Sequence, residues 1–280
     1  MKTFKGKAVV LTGASGGIGA YIARALAREG ATVVGVARNQ AALDKICAEV
    51  NTLGGKGLSL AYDLQNLAAL SDLATQIRQG VGPVDVLINN AAIEKFRPFQ
   101  DYSLDDLQAM TVTNLLAPME LSRLLLPAMI ARKSGHIVNI SSGAGKHGAP
   151  FNSVYSATKA ALINWSEALR LELQDDQIGV SVVCPGVTDA GMFHALEIET
   201  SDALKITPPD VVADVVLNSI KQNRLEANLD GFTSKVFSVI SQLSPRLSDT
   251  ILQKVGIVEA NYDCAQRQMR CQQASPVLAK

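Results

Sequence analysis

Short runs of β-branched and other apolar residues alternate with helical patterns over the first 230 residues, and this alternation constrains the fold more than any other feature. The runs are apolar throughout, as strands buried on both faces of a parallel sheet must be, while apolar residues between them recur at intervals of three and four. The predicted strands are Lys7–Gly13, Thr32–Ala37, Gly57–Tyr62, Val84–Ile88, His136–Ile140 and Val180–Cys184, with a weaker seventh near Leu225–Leu229. The predicted helices are Ile18–Glu29, Gln40–Leu53, Leu67–Gln79, Leu104–Arg132 and Ser153–Gln174. These repeated β-α units predict an α/β fold with a doubly wound parallel sheet and helices on both faces.

Residues 1–230 contain no Pro- or Ser-rich linker and no internal repeat, so we expect them to form one domain, with residues 231–280 as a C-terminal helical extension and tail. Apolar residues mark a first amphipathic helix in the extension, at Phe232, Val236, Val239, Ile240 and Leu243. A second helix is predicted over Ile251–Ile257. The Gln-rich segment Gln266–Lys280 is predicted to be loose.

The composition excludes several classes of function. The 26 basic and 26 acidic residues cancel, which offers no basic surface for nucleic acid. The four cysteines have unrelated spacings, so neither a disulfide framework nor a metal site is expected. No stretch approaches the length of clean apolar sequence that a membrane span needs. We therefore expect a cytoplasmic protein with no metal, no nucleic-acid partner and no membrane span.

A glycine-rich turn joins the first predicted strand to the first helix, in the sequence Thr-Gly-Ala-Ser-Gly-Gly-Ile-Gly over residues 12–19. Glycine lets the main chain approach a phosphate closely, and free N–H groups at a helix N-terminus favour an anion. A tight turn alone would explain some of these glycines, but their position between strand and helix favours nucleotide binding. The predicted cofactor-binding residues are Gly13, Ser15, Gly17, Ile18 and Gly19.

Tyr155 and Lys159 are four residues apart near the start of a predicted helix, so both side chains leave the same face. A neighbouring ammonium is expected to lower the pKa of the phenol, and Tyr155 could then serve as general acid toward a carbonyl or base toward an alcohol. Ser142 ends a buried strand thirteen residues earlier, at the sheet edge where a ligand is expected. Its hydroxyl could stabilise charge on the substrate oxygen.

The Thr-Gly-x-x-x-Gly-x-Gly turn and the Ser142, Tyr155 and Lys159 set together resemble the short-chain dehydrogenases/reductases, over roughly Lys5 to Asp230. The resemblance implies a Rossmann-like, dinucleotide-binding catalytic domain. It also implies that Ser142 positions the substrate oxygen, that Tyr155 is the acid/base, and that Lys159 lowers the pKa of Tyr155 and holds the nicotinamide ribose. Asn114 would support a water-linked proton relay through Lys159. Further cofactor contacts implied by the resemblance are Asp63, Asn90, Ala91, Pro185, Gly186 and Thr188.

Cofactor choice depends on the end of the second strand, where the sequence is Ala37-Arg38. An acidic residue there would bind the 2′-hydroxyl of NAD and repel a 2′-phosphate, whereas a guanidinium can bind that phosphate. NADP(H) is therefore favoured, with NAD(H) as the alternative.

Substrate selection is assigned to Gly186–Thr207 together with a mostly apolar set of wall residues. This composition favours a carbonyl or alcohol on an apolar body. The predicted wall residues are Phe96, His147, Phe151, Met192, Phe193 and His194.

The leading hypothesis is a carbonyl reductase or alcohol dehydrogenase. A reductase of carrier-bound 3-oxoacyl chains is an alternative within enzymes, and a redox sensor or scaffold that binds the dinucleotide without turnover is an alternative outside them. The retention of Tyr155, Lys159 and Ser142 favours an enzyme. The resemblance further implies a homodimer or homotetramer that pairs through Leu104–Arg132 and Ser153–Gln174. The role of the C-terminal helices is open, since they could either close over the pocket or pack on another subunit.

Overall fold

The structure, a computed structural model, describes residues 1–191, 206–229 and 231–274, without the side chains of 231–235 and 271–274. Seven parallel strands form one sheet in the order β3-β2-β1-β4-β5-β6-β7. Their bounds are β1 Ala8–Thr12, β2 Thr32–Ala37, β3 Lys56–Ala61, β4 Val86–Asn89, β5 Gly135–Ile140, β6 Ile178–Cys184 and β7 Glu226–Asn228. The order reverses between β1 and β4, which confirms the predicted doubly wound, Rossmann-like α/β fold, including the weak seventh strand.

Helices cover both faces of this sheet. Their bounds are α1 Gly17–Arg28, α2 Gln40–Thr52, α3 Leu70–Val81, α4 Leu104–Thr111, α5 Ala117–Ala131, α6 Ser153–Glu172, α7 Pro209–Gln222, α8 Gly231–Leu243, α9 Pro245–Lys254 and α10 Ile257–Ala274. One core contains Ile22 of α1, Leu43 of α2 and Val216 of α7. The core on the opposite face contains Leu73 of α3 and Leu169 of α6. Strands buried between two such layers must be apolar on both sides, and this produces the continuous apolar runs of the sequence.

The long helix predicted over Leu104–Arg132 is divided by one π-helical segment, Val112–Leu116, between α4 and α5. Ser103 and Asp106 form a capping box at the start of α4, which fixes where the helix begins. A π-helical turn carries an extra residue and changes which side chains face inward. Asn114 lies within this turn and is completely buried.

The C-terminal region contains more helix than the sequence predicted. The expectation that Gln266–Lys280 is loose is wrong as far as Ala274, because α10 continues to that residue; residues 275–280 lie outside the described part. The helix expected over Ile251–Ile257 is instead the end of α9, a break at Gly256 with φ +73°, and the start of α10. The domain boundary at residue 230 stays a prediction.

Across the described ranges, no helix combines the length and the apolar character that crossing a bilayer would require. The same residues contain no group of three or more His, Cys, Asp or Glu side chains that could hold a metal ion.

Candidate functional site

A cavity of about 890 Å³ lies along the carboxyl ends of the strands, the edge at which the sequence placed the ligand. It is walled by the segments that follow β1, β2, β3, β4, β5 and β6. Most of the predicted site residues meet there. Those lining the cavity are Gly13, Ser15, Gly17, Ile18, Arg38, Asp63, Asn90, Ala91, Ser142, Tyr155, Lys159, Pro185, Gly186 and Thr188.

The glycine turn is shaped to receive an anion at the start of α1. Gly13 and Gly17 have φ of +68° and +54°, a region that favours glycine. Gly16 occupies the N-cap position, where the structure shows no capping side chain. A Cβ added at Gly16 would meet no atom within 4 Å, and Gly16 lines the cavity. The open space beside uncapped N–H groups fits the phosphates of a dinucleotide.

Gly19 differs from the other predicted residues of the turn in that it does not line the cavity, and its part in cofactor binding stays a prediction. A Cβ on Gly19 would lie 2.1 Å from Gly13 O and 2.8 Å from Asn90 Nδ2. Asn90 Nδ2 donates hydrogen bonds to Thr12 O at 2.9 Å and Gly13 O at 3.3 Å. Gly19 therefore allows α1 to approach the turn closely, while Asn90 ties the turn to the segment after β4.

Ser142, Tyr155 and Lys159 converge at one end of the cavity. Ser142 lies close enough to Tyr155 to act on the pKa of its phenol, and Ser142 Oγ accepts a hydrogen bond from the Ala144 N–H at 3.2 Å. Lys159 Nζ lies 5.5 Å from the Tyr155 ring centroid and donates to Ile140 O at 2.8 Å. Tyr155 and Lys159 are 6% and 2% exposed. Tyr155 and Lys159 lie on successive turns of α6, and Ser142 lies just after β5. These positions bring the three side chains together.

Burial dominates the acid-base properties of the pair. It raises the pKa of Tyr155 far above the usual value, and the charge of Glu94 raises it further, while the nearby Ser142 hydroxyl acts in the opposite direction. Burial also lowers the pKa of Lys159 to about 8, against an opposing effect of Glu94. The predicted lowering of the Tyr155 pKa is thus wrong for this structure, since loss of phenolate solvation outweighs any effect of the nearby ammonium.

Asn114 supports the site from behind the cavity wall. Its Oδ1 accepts from Ile93 N at 2.8 Å, and its Nδ2 donates to Ile93 O at 2.9 Å and to Thr158 Oγ1 at 3.2 Å. These bonds fix the loop after β4 against α6, next to Tyr155. The side chain of Asn114 holds two walls of the site in place, and its part in a proton relay stays a prediction.

The opposite end of the cavity is more polar and exposed. Arg38 is exposed and lines the cavity directly after β2. Asp63 Oδ1 accepts from Gln65 N at 3.0 Å, as a turn-capping carboxylate does. Thr188 is buried and donates to Gly186 O at 3.1 Å, which holds the turn after β6.

The C-terminal helices contribute to the substrate end of the cavity. Ile257 and Asn261 of α10 line it, beside the predicted wall residues Phe96 and His147. Phe151 stands behind the wall, against a cluster of Phe96, Cys264 and Ala265. The α10 helix therefore contributes to one wall of this pocket, and whether the extension also packs on another subunit stays a prediction. The predicted wall residues Met192, Phe193 and His194 lie outside the described residues.

Sequence reasoning missed two polar residues at this end, Glu94 and Asn152. Both line the cavity, and Asn152 Nδ2 donates a hydrogen bond to Glu94 Oε1. A charged loop residue after a strand is ordinarily solvated, so the sequence carried no signal for Glu94. Asn152 is adjacent to Ser153 at the start of α6 and resembles an ordinary helix cap in the sequence.

Comparisons with known proteins agree with this arrangement. A family model described as short chain dehydrogenase matches residues 7–200. Ketoacyl reductase HetN of Nostoc sp. is 46% identical over 276 residues, which cover 96% of both chains. Dehydrogenase/reductase SDR family member 7B of Rattus norvegicus is 32% identical, over 85% of this chain and 78% of the relative.

Two solved structures share the fold. A metagenomic short-chain oxidoreductase in complex with NADP is 36% identical with a TM-score of 0.71, over 81% of this chain and 97% of the other. A short-chain dehydrogenase from Sphingobium yanoikuyae in complex with NADPH is 27% identical with a TM-score of 0.76, over 87% and 96%.

Proposed function

Because this chain belongs to the short-chain dehydrogenase/reductase family, we propose that it is an NADP(H)-dependent oxidoreductase that interconverts a ketone and a secondary alcohol. The convergence of Ser142, Tyr155 and Lys159 in the same cavity as the glycine turn carries this proposal. A reacting carbonyl beside Tyr155 would lie within one continuous space that extends to the phosphate-binding turn.

The residues at the catalytic end have complementary tasks. Tyr155 gives a proton to the carbonyl oxygen during reduction and takes it back during oxidation. The raised pKa of Tyr155 keeps the phenol protonated at neutral pH, which is the form that reduction needs. Ser142 donates a hydrogen bond to the same oxygen and holds it at the phenol. Lys159 is anchored on Ile140 O and would hold the nicotinamide ribose.

The residues along the rest of the cavity fit a dinucleotide with a 2′-phosphate. The backbone around Gly16 would hold the pyrophosphate, and Arg38 would pair with the 2′-phosphate through its guanidinium. Both solved relatives bind NADP or NADPH, which supports the same preference here. The bound nicotinamide supplies or accepts the hydride. Pro185, Gly186 and Thr188 line the cavity and would hold the nicotinamide end of the cofactor.

The substrate is proposed to be a small carbonyl or alcohol compound with a mainly apolar body, because Ile93, Phe96 and Ile257 supply apolar surface to this wall beside a few polar side chains. A second candidate is a 3-oxoacyl chain, which the printed name of the Nostoc relative favours. Both substrates present a ketone to Tyr155, and they differ in the acyl thioester next to it.

A turnover assay tests this function. The purified protein is mixed with a panel of ketones and a 3-oxoacyl thioester, in the presence of NADPH or NADH, and oxidation of the cofactor is followed by absorbance. We expect turnover with NADPH to exceed turnover with NADH. Tight NADPH binding without turnover of any compound would contradict the proposal and favour a redox sensor or scaffold. Light scattering on the same sample tests the proposed homodimer or homotetramer.

A further inference from the structure

A carboxylate lies on the cavity wall next to the reacting pair. Glu94 follows β4 by five residues and lines the same cavity as Tyr155 and Lys159. Its charge acts on both groups, since it raises the pKa of Tyr155 and that of Lys159. The proposed proton transfer does not use this carboxylate, so its presence at the catalytic end calls for another role.

Glu94 lacks the partner that would make it a structural ion pair. The basic residues that follow it in sequence, Lys95 and Arg97, both pair with Asp106 instead. Among the described residues Glu94 forms no ion pair, and burial raises its pKa above the usual value, while the Asn152 hydrogen bond and the charge of Lys159 act in the opposite direction. A charge held in a poorly solvated position without an ion pair is costly, and such groups concentrate at functional sites.

Asn152 holds this carboxylate in place. It is 2% exposed, lies three residues before Tyr155, and donates from Nδ2 to Glu94 Oε1. Its Oδ1 is buried and has no hydrogen-bond partner among the described residues. One amide N–H uses one acceptor site of Glu94, and the carboxylate keeps further acceptor sites, so it complements a ligand group that donates a hydrogen bond.

We propose that Glu94, positioned by Asn152, is a specificity residue that accepts a hydrogen bond from a hydroxyl or amide N–H of the substrate, near the carbonyl that Tyr155 protonates. This inference rests on the proposed function and defines the substrate class further. The remaining wall is mostly apolar, so one such contact would orient the whole molecule. The same carboxylate repels an anionic group, and a substrate with a carboxylate in this position is rejected.

Matched substrates separate this role from a structural one. The probes are linear ketones with a hydroxyl one, two or three carbons from the carbonyl, each paired with the ketone that has a methyl in place of the hydroxyl. The measured quantity is kcat/KM for the hydroxyketone divided by kcat/KM for its methyl-bearing partner. The difference in intrinsic reactivity between the two ketones is the same for every variant, so it cancels when the ratios of two variants are compared. We expect the wild-type ratio for at least one pair to fall by about tenfold or more in Glu94→Gln, because the hydrogen bond then has a neutral acceptor in place of a charged one. Asn152→Ala should lower the same ratio, and the exposed Glu172→Gln serves as the matched control.

Equilibrium binding supplies an independent measurement. Calorimetry on the NADPH-loaded protein, which cannot oxidise an alcohol, compares each diol with its methyl-bearing alcohol, and the preference for the diol should fall by a similar factor in Glu94→Gln. If neither the kcat/KM ratios nor the binding ratios change in Glu94→Gln, the proposal for Glu94 is overturned. The proposed function still stands in that case, provided that the wild-type protein turns over ketones. Turnover of no ketone by the wild-type protein contradicts the proposed function, and the calorimetric ratios still decide whether Glu94 selects donors.

Discussion

Replacing the buried Lys159 by methionine should stabilise the protein without its cofactor while removing its activity. Lowering the pKa of this ammonium from the usual 10.5 to about 8 costs about 3 kcal/mol at neutral pH, since each pKa unit corresponds to about 1.4 kcal/mol. Methionine has a similar shape and no charge to bury, but it leaves Ile140 O without its donor, a loss of about 1 kcal/mol. The expected net gain is about 2 kcal/mol in the free energy of unfolding at about pH 7.

The pH dependence identifies the cause of that gain. Below about pH 8, Lys159 is charged in both the folded and the unfolded chain, and the penalty is fully present. Between about pH 8 and 10.5 the folded state holds a neutral amine while the unfolded chain still binds the proton, so the stability of the wild-type protein rises. The advantage of Lys159→Met should therefore fall by about 2 kcal/mol between pH 7 and about pH 9.5.

Urea unfolding at both pH values, at one fixed protein concentration, measures the effect. The exposed Lys45→Met on α2 is the control and should change the free energy of unfolding by less than about 0.5 kcal/mol at either pH. A Lys159→Met protein that is less stable than the wild type at pH 7, or whose advantage does not depend on pH, would refute the reasoning.

Two further substitutions test the cofactor end. Gly19→Ala should lower the free energy of unfolding by at least about 2 kcal/mol, because its Cβ would lie 2.1 Å from Gly13 O. The control Gly148→Ala has open space around the added Cβ and should be nearly neutral. Equal effects of the two substitutions in thermal unfolding would disprove the packing role of Gly19. Arg38→Asp should reverse the preference for NADPH over NADH, measured as a ratio of kcat/KM values, because a carboxylate repels the 2′-phosphate and accepts from a 2′-hydroxyl; an unchanged ratio would remove Arg38 from the cofactor site.

Most strands of the sheet could be predicted from the sequence, because they lie between two layers of helices. A strand such as Val180–Cys184 is covered on both faces, so its apolar run is continuous and easily recognised. Some site residues could be predicted for the same reason. Ser142 and Pro185 come just after two neighbouring strands, β5 and β6, and the carboxyl ends of these strands meet at the edge where the ligand binds. Spacing placed Tyr155 and Lys159 on one face of α6, and the structure adds how deeply both are buried.

Other features depend on contacts that no local pattern encodes. The α10 helix is polar and Gln-rich, and a few distant contacts anchor it: Ala265 is buried against Phe96, and Gln268 accepts from Phe96 N at 2.8 Å. Glycine spacing did not distinguish Gly16, which faces the cavity, from Gly19, which packs against the turn. The burial that reverses the expected pKa shift at Tyr155 is likewise a property of the assembled walls.

The most direct test of the proposed chemistry is Tyr155→Phe, which removes one oxygen atom and keeps the ring in the core. We expect this variant to bind NADPH with a dissociation constant within about threefold of the wild-type value, measured by fluorescence titration, because the cavity wall is preserved. Its kcat for any ketone that the wild-type protein reduces should fall by at least about a hundredfold, the range typical of a lost general acid. The exposed Tyr21→Phe is the control and should keep wild-type turnover. Turnover by Tyr155→Phe that stays within a few-fold of the wild-type rate would contradict the assignment of Tyr155 as the proton donor.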